Sequence, residues 1–102
     1  MILNLSIFPT SKTTDSASED VAQVIEIVDK SGLPYKLGPM STAIEGDWDE
    51  IMDVVNKARK KLHEQHNRVY IVMTVDDREG VSGRLTGKIE SVEKELGREV
   101  KK

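Results

Sequence analysis

The stretch from Arg68 to Val75 constrains this chain most. Val69, Ile71, Met73 and Val75 alternate with Tyr70, Val72 and Thr74. That two-residue period predicts a β-strand over 68–75. Both faces are largely apolar, so each needs cover. Asp76-Asp77-Arg78 closes the strand, and Gly80 and Gly83 mark the loop that follows.

The rest of the chain supplies partners for this strand. Residues 2–8 form a first strand in which Leu3, Leu5 and Ile7 alternate with Asn4 and Ser6, and Pro9 is expected to stop it. The polar stretch from Thr10 to Ser18 reads as a loop. Ser16 and Glu19 fit a capping box, opening a helix with Val21, Val24, Ile25 and Val28 on one face. Gly32 fits the C′ position and Pro34 confirms the stop. Tyr35–Leu37 and Thr42–Glu45 predict two short antiparallel strands joined tightly through Gly38-Pro39. Asp47 and Glu50 make a second capping box. The helix it opens carries Ile51, Val55, Ala58 and Leu62, with Met52 and Val54 beside them. His66-Asn67 is expected to end it, Asn67 tolerating the left-handed conformation. Leu85, Ile89, Val92 and Leu96 predict a last helix.

The order β-α-β-β-α-β-α predicts an α+β fold and one domain over 1–102. Its simplest packing is ferredoxin-like, a four-stranded antiparallel βαββαβ sheet with two helices on one face and an additional C-terminal helix. The two helices are expected to cover the face bearing Leu3, Leu5 and Val69 to Val75. The other face, with Ile2, Asn4, Ser6, Tyr70, Val72 and Thr74, is too apolar for water. It should meet the third helix, another subunit or a ligand, and a homo-oligomer is expected.

Composition removes several classes of function. The 102 residues contain no cysteine, which excludes disulfides, thiolate metal sites and cysteine nucleophiles. No apolar stretch is long enough to span a bilayer. The apolar start, Ile2 to Phe8, is too short for a signal sequence and lacks a basic leader, so a cytoplasmic protein with no membrane partner is expected. The net charge is −3, against the strong basicity of a dedicated nucleic-acid binder. Lys57, Arg59, Lys60 and Lys61 read as a solvated helix face. Aromatic residues make up 4% of the chain and no RNP1-like string occurs, so the RNA-recognition module with this element order is not expected.

Several residue groups can carry chemistry. The neighbouring carboxylates of Asp76 and Asp77, with Arg78, stand at a strand end, where charges often border a pocket; the plain alternative is a solvated end with Arg78 pairing locally. Gly38 to Thr42 offers hydroxyls and free backbone groups to a polar ligand, or turn chemistry alone. Tyr35 and Trp48 can stack on a flat cationic ring or simply pack. His63 and His66, with Glu64 between them, are too few for a metal site and suit a helix C-terminus. Gly80, Gly83 and Gly87-Lys88 fail the phosphate-loop pattern because Ser82 and Ile89 occupy positions it reserves for Gly and Ser or Thr. No Ser-His-Asp arrangement is suggested.

Pro39-Met40-Ser41-Thr42, Glu45-Gly46, and Arg68-Val69 opening a strand that runs into Val75-Asp76-Asp77-Arg78 resemble the small YkoF-like family of thiamine-binding proteins. The likeness covers nearly the whole chain, including Pro9 and Tyr35. It departs at Ser41, where glycine is common, and at Val75, where isoleucine is common. The resemblance implies a ferredoxin-like fold in dimers or tetramers. It further implies binding of thiamine or its hydroxymethylpyrimidine part without catalysis, thiamine being ligand rather than cofactor and no metal being needed. On that reading Asp76, Asp77 and Glu45 are candidates to face the thiazolium cation, with Arg78 beside them. Ser6, Ser41 and Thr42 would read the aminopyrimidine, and the flat ring would lie against Tyr35, Met40 or Trp48. Two rival functions remain: an amino-acid-sensing module of the same strand order, and a small enzyme using Asp76, Asp77 and Arg78.

Overall fold

The computed structural model describes residues 1–10, 18–80 and 84–101. In chain order the elements are β1 (Ile2–Pro9), α1 (Ser18–Lys30), β2 (Tyr35–Leu37), β3 (Thr42–Glu45), α2 (Trp48–His63), β4 (Val69–Asp76) and α3 (Arg84–Leu96). The sheet runs β2-β3-β1-β4 with every pair antiparallel. This is the α+β, ferredoxin-like order that the sequence predicts, with the extra C-terminal helix.

Element ends follow from local chemistry. β1 runs one residue past the predicted span and ends on Pro9, which pairs opposite Val69. The reason lies in the hydrogen-bond alternation. Thr10 donates its N–H to the Arg68 carbonyl at 3.1 Å, so even-numbered residues of β1 bond to β4. Pro9 is odd-numbered, and the missing N–H faces away from the ladder. Asp47 and Glu50 form the predicted capping box on α2, the Asp47 N–H donating to Glu50 Oε1 at 3.1 Å. Its other end differs from expectation. The helix stops at His63, with Glu64 capping it in a right-handed conformation, and no described residue other than glycine has positive φ. Asn67 therefore does not serve as a left-handed cap. Gly32 does fill that role after α1, at φ +77°. Ser16, of the other predicted box, lies outside the described residues, as does Gly83.

The core lies between the sheet and α1 and α2. Leu3, Leu5 and Ile44 meet Val28, Ile51 and Leu62, all essentially without solvent exposure. Burial of each such side chain contributes about 1.5–3 kcal/mol. The covered face is shorter than predicted. Val69 and Ile71 pack against the core, but Met73 and Val75 remain exposed on the edge strand although their β1 neighbours Leu5 and Leu3 are buried. On the opposite face Tyr70 and Val72 are exposed, while α3 lies against β3. Among the described residues no helix is long and apolar enough to cross a membrane.

Candidate functional site

Two neighbouring strands of unequal length create the site. β1 has 8 residues and β3 has 4. Their pairing covers only Ile2 to Leu5. The Gly46 N–H donates to the Met1 carbonyl at 3.0 Å, so odd-numbered residues of β1 bond towards β3. Beyond Leu5 the next such residue is Ile7. Its N–H and C=O point to the side that β3 has vacated, and among the described residues neither has a backbone partner there. A free donor beside a free acceptor on a strand edge is a ready ligand-binding element.

The vacated space is a pocket of about 280 Å³. Its floor is β1 from Leu5 to Phe8. One wall is α1, through Val21, Val24 and Ile25, which lie three and four residues apart on one helical face. The other wall is the hairpin from Leu37 to Thr42. Gly38 donates its N–H to the Ser41 carbonyl at 2.8 Å, leaving Pro39 and Met40 as the tip. A Cβ on Gly38 would stand 2.9 Å from that same carbonyl oxygen, so only glycine permits so close a turn. Ser41 Oγ donates to Asn4 Oδ1 at 2.8 Å and ties the hairpin to β1. Met40, 88% exposed, stands at the mouth.

The described lining holds no charged side chain. Its polar groups are the hydroxyls of Ser6, Ser41 and Thr42 and the backbone edge at Ile7. Such a site suits a small, flat, uncharged heterocycle with a hydrogen-bonding edge. No cluster of metal-ligating side chains occurs among the described residues.

The residues singled out from sequence separate into two groups. Ser6, Met40, Ser41 and Thr42 come together in the pocket. Glu45 and Asp76 both lie opposite Ile2, one on each side of β1. That register puts them about 13 Å along the strand from Ser6. Asp77 and Arg78 follow Asp76 past the end of the sheet. Tyr35 packs against the core, and its hydroxyl donates to Asp29 Oδ1 at 2.9 Å. That hydrogen bond, more than burial or the nearby charge, holds the phenol above its ordinary pKa of 10.0. Trp48 is half-exposed at the start of α2. His66 bonds to Asp20 rather than standing as a ligand.

Sequence reasoning missed Ile7, Phe8 and the α1 wall. A signal was present: the predicted strand over 2–8 outruns the predicted strand over 42–45, so part of the first had to lack that partner.

A split βαβ sheet, backed by two helices and open where β1 outruns β3, defines a ferredoxin-like α+β domain with a pocket of ligand size. Residues 3–93 match the family described as thiamine-binding protein, and the chain belongs to that family. A UPF0045 protein of Mycobacterium bovis is 40% identical over 83 residues, covering 80% of this chain and 81% of the relative. The crystal structure of a hypothetical protein from Methanocaldococcus jannaschii is similar with a TM-score of 0.81 and 27% identity, over 89% of this chain and 93% of that one. A domain of unknown function from Bacillus cereus has a TM-score of 0.75 and 28% identity, over 86% and 85% of the two chains.

Proposed function

We propose that this chain binds thiamine or its hydroxymethylpyrimidine moiety, without catalysing a reaction, as a cytoplasmic homo-oligomer. The observation that carries the reading is the pocket beside Ile7, in a chain whose family is described as thiamine-binding. An aminopyrimidine presents an N–H donor next to a ring nitrogen acceptor, the complement of the Ile7 C=O and N–H. Apolar groups from Val21, Val24, Ile25 and Leu37 sandwich a flat ring. The volume lies at the small end of ligand sites, typically ~300–1,000 Å³, and suits one ring better than two. The thiazolium then projects past Met40 towards solvent, where its charge stays hydrated.

Binding without turnover is supported by the lining itself. The described wall offers hydroxyls but no histidine or carboxylate to activate them. The rival enzyme at Asp76, Asp77 and Arg78 has no place in this pocket, since those residues stand at the far end of the sheet. A free amino acid would bring two charges to a described wall that offers none.

Calorimetry with thiamine and with hydroxymethylpyrimidine tests the reading. Saturable heat with both ligands is expected. No heat and no thermal shift at millimolar ligand would overturn it.

A further inference from the structure

Thr42 is a pocket residue that its own chain leaves unsatisfied. It lies opposite Leu5 and two residues before Ile44, so it shares the helix-covered face of the sheet with these two core side chains. Only 6% of its surface is exposed. Among the described residues every fully buried side-chain oxygen or nitrogen has a hydrogen-bond partner, and none of those residues bonds to Thr42 Oγ1. The hydroxyl therefore opens on to free space, and the space that Thr42 lines is the pocket. A hydroxyl drawn out of water without a partner disfavours the empty fold, and a ligand that meets it removes the penalty.

The other two hydroxyls of the lining are placed differently. Asn4 and Ser6 alternate with Leu5 and Ile7 along β1, so they project from the open face of the sheet. Ser41 Oγ donates to Asn4 Oδ1 at 2.8 Å, which holds it on that face. Ser41 is thus a positioning residue for the hairpin, and Thr42 is the residue whose hydroxyl faces the α1 wall. In the register Thr42 is level with Leu5, two residues from Ile7, or about 6.6–6.8 Å along β1. One six-membered ring that hydrogen-bonds at two of its edges bridges such a span. An aminopyrimidine is a ring of this kind. Its amine and the adjacent ring nitrogen meet the Ile7 C=O and N–H, and its second ring nitrogen faces Thr42.

We propose that Thr42 Oγ1 donates a hydrogen bond to this second ring nitrogen, and so selects a pyrimidine over a pyridine that keeps only the nitrogen beside the amine. The inference rests on the thiamine reading above and names the side chain that makes the site specific for a two-nitrogen ring.

The test compares hydroxymethylpyrimidine with its 2-aminopyridine counterpart, in which a C–H group replaces the second ring nitrogen. Calorimetry is run above neutral pH, where both rings are uncharged. Wild type is expected to bind the pyrimidine at least tenfold more tightly than the pyridine. Thr42→Val puts a methyl group of similar shape in place of the hydroxyl. It is expected to bind the pyrimidine at least tenfold more weakly than wild type and to lose the preference. Without ligand it should melt at or above the wild-type temperature, because an unpartnered buried hydroxyl has gone. Thr42→Ser, which keeps the hydroxyl, should keep the preference. Equal wild-type affinity for the two rings overturns the assignment and leaves thiamine binding standing. So does a preference that survives in Thr42→Val or vanishes in Thr42→Ser, or a lower melting temperature for ligand-free Thr42→Val. A wild type that binds neither ring nor thiamine overturns both.

Discussion

His66 Nε2 lies 3.1 Å from Asp20 Oδ1, joining the turn after α2 to the first turn of α1 across 46 positions of sequence. Both side chains are largely buried. Asp20 immediately precedes Val21, so the bond anchors the helix that walls the pocket. His63 Nδ1 in turn lies 3.0 Å from the His66 carbonyl oxygen, which steadies the turn. His66→Ala is expected to cost about 1–2 kcal/mol. Urea unfolding should show a lower midpoint with an unchanged slope, and a midpoint equal to wild type would mean the bond contributes nothing.

Gly38 is the tightest point of the hairpin. An added Cβ at 2.9 Å from the Ser41 carbonyl must push backbone, not a pliable side chain. Gly38→Ala is expected to destabilise by about 1–3 kcal/mol. It should also weaken thiamine binding, because the displaced Met40 to Thr42 segment is one wall of the site. Full affinity in calorimetry would show that the wall is not used.

Val21 lines the pocket and is partly exposed, so a larger side chain has room to turn inward. Val21→Trp is expected to fill the cavity and abolish saturable binding of thiamine while the melting temperature stays near wild type. Retained binding in a folded variant places the ligand elsewhere.

Leu62 is fully buried where α2 meets the sheet. Leu62→Ala leaves a cavity in a core that cannot collapse around it and should cost about 2–5 kcal/mol. Chemical denaturation measures this; a loss under 1 kcal/mol, outside the roughly 2–5 kcal/mol range of such truncations, would show that the site relaxes.

Tyr35 gives the alkaline side of stability a defined sign. Its phenol is raised in the folded state above 10.0, first by the hydrogen bond to Asp29. Folding is favoured while the phenol stays protonated, so the contribution is complete below the ordinary phenol value. It disappears as pH rises through the higher folded value. Tyr35→Phe should therefore lose less stability than wild type above about pH 10. Parallel pH profiles for the two proteins would remove Asp29 as the cause.

Strands and helices were legible because each depends on residues close together in the chain. Period-two alternation at 2–8 and 68–75 and the capping pair Asp47 and Glu50 identify their elements without reference to anything distant. The short strands at 35–37, of three residues, and at 42–45, of four, were equally plain. The family motifs contained Met40, Ser41 and Thr42, and the ligand they implied suggested Ser6; these four do converge.

The site was a different kind of problem. Whether Asp76 stands beside Ser6 or beside Ile2 depends on strand register, and register belongs to a pair of strands, not to either sequence alone. The same holds for Ile7, whose apolar side chain says nothing about its N–H and C=O, which among the described residues have no backbone partner on the β3 side. Local periodicity therefore determined which elements this chain forms. Pairing between strands far apart in sequence decided where β3 ends against β1, and so where β1 is left with an open edge.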